Sequence, residues 1–524
     1  MNSIGFKNFR QFRDFPTTKL GPITYLVGKN NSGKSTIVKA LLLISDFLKS
    51  GEMREFKFGN NVLEDANIVT FGRAKTASAE ESLIAFETKV SNYRIEIQIT
   101  GNDDDTNARV LNFLVEDLKS RFFFRVEPHS SRIYFGQGKT GDFIKEEEVP
   151  EFQMKTEIRR LEDRIRFSNL KKTDKEYLRL VDQLNSLKQK QNLFESNNEE
   201  QYEEYLNREM ENIPENFLLD MPINWSYSLK ENLEAAQKIA VHMHDVEFRN
   251  AQLNENTSSL FDEYRGFYQK KDDLRRSFEE YFESIQELEL FYLGANPSKQ
   301  SGLFTIRDKG NALSQSIHKF YQLGVFNNKG SESYRFLKKW MGKDGFDIGE
   351  DLTIKMYGGE AYDVKIKNGD GELSLADKGM GSIQAMLLLF RIASIIELKK
   401  SSSTNTKIIV EEPELNLHPN FQSKLADLFF EVWEKFDIEF IIETHSEYII
   451  RKSQVIVSEK QLEDSVNENP FKVHYLDLHQ SPSIYSIGFD SDGVLDRSFG
   501  SGFFDTAADT NLQLLKLKRI RNKQ

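Results

Sequence analysis

The segment Gly28-Lys29-Asn30-Asn31-Ser32-Gly33-Lys34-Ser35 follows the apolar run Ile23-Thr24-Tyr25-Leu26-Val27 and opens the helix-like stretch Thr36 to Leu43. Its spacing is that of a loop whose glycines let backbone N–H groups converge on phosphate at a helix N-terminus. Such a loop needs a buried strand before it and a helix after it, and that requirement fixes an α/β core. Lys34 is placed to reach the outer phosphates of a nucleoside triphosphate and the Ser35 hydroxyl to ligate Mg²⁺. Gly28, Asn30, Asn31, Ser32, Gly33 and Thr36 complete the cradle. ATP and Mg²⁺ are the expected cofactors.

A chain of 524 residues has room for two or more domains. It contains no cysteine, so disulfides, thiolate metal sites and cysteine nucleophiles are excluded together; a reducing cytoplasm is the expected location. Met1 to Arg10 lacks an apolar targeting segment, and no apolar run of about 18 residues occurs, so no membrane partner is expected. The net charge of −12 argues against a broadly basic, nucleic-acid-coating surface. Local sources of DNA contact remain in Lys7, Arg10 and Arg13 and in the tail residues Lys516, Lys518, Arg519, Arg521 and Lys523.

Three domains are expected. Residues 1–150 carry the loop and short alternating strands such as Tyr93 to Ile97 and Arg132 to Phe135. Residues 151–290 form a helical insertion. Tyr177, Leu180, Leu184, Leu187, Gln191 and Phe194 follow coiled-coil spacing in its first arm, and Pro214 and Pro222 mark a break. The second arm runs from about Ser228 to Leu290, with Tyr264, Phe267, Tyr268, Phe278 and Tyr281 spiking its surface. Ordinary amphipathic helices packed into a lobe account for the same pattern as a hairpin. Residues 291–524 return to α/β patterning, so the two chain ends make one nucleotide-binding fold and the middle is inserted into it.

Lys407 to Val410 is a short apolar strand ending in Glu411-Glu412-Pro413-Glu414. Two adjacent carboxylates at a strand end can divide the work, Glu411 holding Mg²⁺ and Glu412 polarising the water that attacks the γ-phosphate. Further on, Glu439 to Ser446 repeats the arrangement of strand and polar tip, placing His445 to bond the γ-phosphate or that water. His418 either lines a subunit contact or caps the following helix.

These motifs resemble Walker A, Walker B and the switch histidine of ABC-type ATPases. The likeness is strongest to the branch containing RecF, the structural-maintenance-of-chromosomes proteins and the overcoming-lysogenization-defect ATPases. The opening Ile4 to Arg10 resembles that branch's first strand, and Gly500 to Asp505 resembles the ending of a bacterial subgroup. The resemblance implies an ABC-type ATPase head assembled from both chain ends, with a long helical insertion. It places the signature segment, which completes a partner's site in trans, at Leu375 to Gln384. The family's serine is out of register there, leaving Gly379, Gly381, Ser382 and Gln384 as candidates. No glutamine stands where the family's Q-loop is expected, near Phe71-Gly72.

A homodimer or higher homo-oligomer is therefore expected. The aspartates of Asp490-Ser491-Asp492 read as a turn, so any nuclease chemistry must come from another chain. The resemblance to stand-alone antiphage ATPases of the Septu or retron-linked type makes the leading expectation a sensor that controls a separate effector, a nuclease. The alternatives are a DNA-repair or chromosome-maintenance ATPase that clamps DNA and a nucleotide-stabilised architectural coiled-coil protein.

Overall fold

The computed structural model describes residues 1–58, 68–79, 82–138, 218–254, 271–294, 303–308, 311–400, 404–462, 469–478, 483–500, 503–504, 510 and 512–516. Two compact units emerge, residues 1–18 with 43–286 and residues 19–42 with 287–524. The expected coiled-coil seam from Tyr177 to Phe194, the aromatics Tyr264, Phe267 and Tyr268, and the tail cations beyond Lys516 lie outside the described residues.

The first unit is built on a nine-stranded antiparallel sheet. Its strands are β1 (Ser3–Phe9), β2 (Phe12–Lys19), β4 (Glu55–Lys57), β5 (Leu83–Val90), β6 (Tyr93–Thr100), β7 (Asn107–Asp117), β8 (Phe122–Glu127), β9 (Arg132–Gln137) and β10 (Leu218–Pro222), in the order β10-β9-β8-β7-β6-β5-β1-β2, with β4 on β7. Strict alternation in β5 and β6 buries one face, through Ile84, Phe86, Ile95 and Ile97. Pro16 lies in β2, the edge strand, where a missing donor costs no ladder bond. A short helix, α2 (Phe71–Ala74), precedes β5, and helices α3 (Leu229–Asn254) and α4 (Glu279–Glu287) belong to the second arm of the expected insertion. There Phe278 and Tyr281 are not a surface: both are buried, Phe278 edge-on to Phe124 at 4.9 Å and Tyr281 edge-on to Tyr93 at 5.4 Å. An aromatic spike on a helix is apolar area seeking a partner, and here the sheet supplies it.

The second unit holds the six-stranded sheet that organises the candidate site. Its strands are β3 (Ile23–Gly28), β11 (Leu288–Leu293), β16 (Asn405–Glu411), β17 (Ile438–Glu443), β18 (Phe471–Leu476) and β19 (Ile484–Ile487), in the order β11-β16-β17-β3-β18-β19. All neighbours are parallel except β18 and β19. Strand β3, from the start of the chain, lies between two strands from its end, so both chain ends build one α/β sheet. Every residue of β3 is buried, the mark of a central parallel strand covered on both faces.

Helix α1 (Lys34–Ser50) leaves β3 through the glycine-rich loop and stops at Gly51, whose φ of +65° suits a left-handed helix terminus. Helices α8 (Pro419–Phe436) and α9 (Glu447–Lys460) make the crossovers from β16 to β17 and from β17 to β18. A small antiparallel sheet of β12 (Phe304–Thr305), β13 (Asp351–Tyr357), β14 (Ala361–Asn368) and β15 (Gly371–Ser374) joins α5 (Ala312–Gln322), α6 (Glu332–Met341) and α7 (Met380–Lys399) in the same core. By length and composition alone α7 would cross a membrane, yet its side chains from Ile383 to Ile396 are largely buried in that core.

Candidate nucleotide site

In a parallel sheet the ligand crevice opens at the carboxyl ends of the strands, and the loop after β3 opens there. Gly28 has a φ of +152°, and a Cβ on it would stand 2.4 Å from Leu476 O and 2.7 Å from Ser32 Oγ, so no side chain fits. Gly33 at +100° and Asn31 at +61° turn the loop into α1. Asn30 and Asn31 are exposed, while Ser32 and Thr36 are buried. The Ser32 hydroxyl is buried without a partner, an orphan that a phosphate oxygen would satisfy.

Lys34, only 3% exposed, donates to Gly28 O and Lys29 O, both at 3.1 Å, and its ammonium lies 3.9 Å from Glu443 Oε1. Burial holds its pKa below the usual lysine range, while Glu443, Glu412 and Glu414 pull the other way. Ser35 Oγ donates to both oxygens of Glu443, at 2.9 and 3.2 Å.

The acidic partners come from the two strands beside β3. Glu411 ends β16 and Glu443 ends β17, directly opposite each other in parallel register. Burial first, and then the charge of Glu411, push the Glu443 carboxyl up to about 7, against the pull of Lys34 and Ser35. Glu412 turns out of the strand with a φ of +46° and its N–H donates to Glu443 O at 2.8 Å. Its Oε1 faces His445 Nε2 at 3.8 Å. Burial, then Lys34, hold His445 below the ordinary imidazole range, against the pull of Glu412. Glu414 Oε1 accepts the His445 backbone N–H at 2.6 Å, and burial raises the Glu414 pKa. The P-loop residues, Glu411, Glu412 and His445 thus meet at one sheet edge.

Two residues in that edge, Glu443 and Glu414, stood within the motifs without a role. Sequence alone does not say which strand lies beside β3, and that neighbour is what brings Glu443 to Ser35. A polar residue ending a strand that precedes a histidine was the available signal.

The signature-like segment opens α7. Gly379 is its N-cap without a side-chain bond, Gly381 follows two residues on, and Ser382 is partly exposed. Gln384 is 7% exposed with Oε1 unpartnered. Gly381 packs so closely on the turn after β16 that a Cβ would stand 2.6 Å from Asn416 O. His418 caps α8, its Nδ1 accepting the Asn420 N–H at 3.3 Å. Asp490 Oδ1 accepts the N–H groups of Asp492 and Val494, which makes that segment a turn.

Residues 1–450 match the family model described as the AAA ATPase domain. No curated protein matches the chain. Among solved structures, the Smc head domain with an extended coiled coil bound to the C-terminal domain of ScpA, from Pyrococcus furiosus, is 12% identical over 99% of this chain and 99% of that one, with a TM-score of 0.35. The Smc head domain with a coiled coil and joint from Pyrococcus yayanosii is 12% identical over 94% and 97%, with a TM-score of 0.36. The SMC head domain from Thermotoga maritima is 10% identical over 93% and 98%, with a TM-score of 0.33. Likenesses at these scores add nothing to the assignment, which rests on the family match and the strand topology. The loop after β3, the acidic end of β16 and His445 all fall inside the matched span, and the chain belongs to the AAA ATPase domain family.

Proposed function

We propose that this chain is a Mg²⁺-dependent ATP hydrolase used as a nucleotide-controlled switch, in which paired heads clamp DNA. The observation that carries the hydrolase reading is the facing pair Glu412 and His445, 3.8 Å apart, beside a loop that holds Lys34 and Ser35. The residues fit both cofactors. The orphaned Ser32 hydroxyl and the cation of Lys34 suit a polyphosphate, and the hard oxygens of Ser35, Glu411 and Glu443 suit Mg²⁺. Among the described residues no three His, Asp or Glu side chains converge as a ready-made metal cage.

When bound, Mg²⁺ neutralises charge on the phosphates. Lys34 binds and orients the outer phosphates. Glu412 accepts a proton from the attacking water, and His445 Nε2 positions that water or the γ-phosphate. Glu414 holds the His445 backbone in place. Gly379 and Ser382, at the N-terminus of a 20-residue helix, are offered to the γ-phosphate of a second copy, whereas Gln384 is buried and Gly381 is packed on Asn416 of its own chain.

The DNA-clamping output is supported by the resemblance of the motifs to the chromosome-maintenance branch and by exposed Lys7 and Arg13. Glu412→Gln with ATP is the test, by mass of the assembly and by retention of circular DNA after a high-salt wash. An ATP-dependent dimer that keeps circular but not linear DNA supports the reading. An ATP-dependent dimer that keeps neither removes the DNA output and returns the chain to control of a separate effector. A monomer throughout removes the paired head.

A further inference from the structure

We propose that Glu443, the last residue of β17, is a metal-holding residue that takes Mg²⁺ together with Ser35, with Glu411 behind it. The inference deepens the ATP-site reading and rests on it. Topology comes first. Strand β17 separates β16 from β3, so Glu443 lies one strand nearer the phosphate loop than Glu411; its register partner on β3 is Leu26, two residues before Gly28.

Distance comes second. The Ser35 hydroxyl lies 2.9 and 3.2 Å from the two Glu443 oxygens. Adjacent ligands of an octahedral ion with metal–oxygen bonds of about 2.1 Å stand about 3.0 Å apart. The serine and the carboxylate already have the spacing of two neighbouring Mg²⁺ ligands. Charge comes third. The Glu443 side chain is 8% exposed, and the ammonium of Lys34 stays 3.9 Å away, bonded to two loop carbonyls. A buried carboxylate opposite Glu411, with its nearest ammonium at 3.9 Å, is costly unless a proton or a cation reaches it, and a bound Mg²⁺ is a cation the site can supply.

A purely structural role, tethering Ser35 to the sheet, predicts no link to the metal. The test measures binding of a fluorescent ATP analogue to the full chain in EDTA and across a Mg²⁺ titration, for wild type, Glu443→Gln and Glu411→Gln. Glu443→Gln is expected to raise the half-saturating Mg²⁺ concentration at least tenfold while binding in EDTA stays equal or tightens. Glu411→Gln is expected to move it less than Glu443→Gln does, because Glu411 lies one strand farther from Ser35. Glu443→Asp, which keeps the charge but withdraws the carboxylate by one methylene, guards against a misfolded glutamine variant and is expected to move it at least threefold. Mg²⁺ dependence within threefold of wild type in a folded Glu443→Gln or Glu443→Asp chain overturns the assignment, as does a larger shift in Glu411→Gln. Failure of the wild-type chain to bind the analogue at all would instead overturn the ATP-site reading.

Discussion

Replacing Gly381 by alanine tests how closely the signature-like segment is built onto the acidic turn. The new methyl would stand 2.6 Å from Asn416 O and 3.5 Å from Leu417 Cδ2. A carbon and a carbonyl oxygen need roughly 3.3 Å, so one backbone must retreat by about 0.7 Å. The turn resists. Asn416 is held at a φ of +63°, and its neighbours Leu415 and Leu417 donate to Glu412 O and Glu414 O, both at 3.0 Å. Overpacking against fixed backbone costs about 2–3 kcal/mol, and the better helix propensity of alanine returns about 0.5–1, leaving a loss near 2 kcal/mol. Gly379, two residues earlier, has nothing within 4 Å of its would-be Cβ and an ordinary φ of −61°, so Gly379→Ala should cost only about 0.5 kcal/mol, for a weaker N-cap. Urea unfolding followed by tryptophan fluorescence separates the two, since Trp340 and Trp433 both lie in the second unit. With a slope of about 3 kcal/mol per molar, Gly381→Ala should lower that transition by roughly 0.7 M and Gly379→Ala by under about 0.2 M. A Gly381→Ala chain as stable as wild type would refute the packing argument.

Two further outcomes follow from single contacts. His474 is buried between Lys19 O, 2.8 Å from Nε2, and the Ser486 hydroxyl, 3.0 Å from Nδ1, and burial drops its pKa to about 4. Because the folded value lies below the unfolded one, its stability contribution is full above about pH 6.5 and is lost as pH falls towards 4. The loss approaches about 3 kcal/mol, so the wild-type chain should lose stability in that window more steeply than His474→Gln. Equal pH slopes in denaturant melts would show that the ring protonates freely in the fold. Glu414→Ala removes the acceptor of the His445 N–H and should lower phosphate release at least tenfold at saturating ATP, whereas Glu414→Gln keeps an acceptor and should stay within threefold of wild type. A glutamine variant as slow as the alanine one would mean that the charge matters and the backbone tether does not.

Much of the site was legible because its chemistry is local. Gly28, Gly33, Lys34 and Ser35 declare the phosphate loop by spacing alone, and Glu411 and Glu412 stand out as charge at the end of an apolar run. What sequence did not carry was adjacency. That β17 is the strand between β16 and β3 is a property of the sheet, and it decides that Glu443 meets Ser35. The same limit applied to Phe278 and Tyr281, which look like a helix surface until the aromatic face holding Tyr93 and Phe124 is placed beneath them. Strand β11 begins at Leu288, inside the stretch expected to be helical, because its six residues follow α4 without a glycine or proline to mark the change. Gly381 showed another side of that limit: the family resemblance placed the signature segment there despite its displaced serine, while the tight contact with Asn416 needed three dimensions to appear.

The central claim is tested most directly by measuring ATP binding and Mg²⁺-dependent phosphate release for the wild-type chain beside Lys34→Ala and Glu412→Gln. Wild type should bind and turn over ATP. Lys34→Ala should lose at least tenfold in affinity, equivalent to about 1.4 kcal/mol, and Glu412→Gln should bind within threefold of wild type while releasing no phosphate. Wild-type release no faster than the protein-free background, or a Lys34→Ala chain that binds and hydrolyses like wild type, would contradict the account.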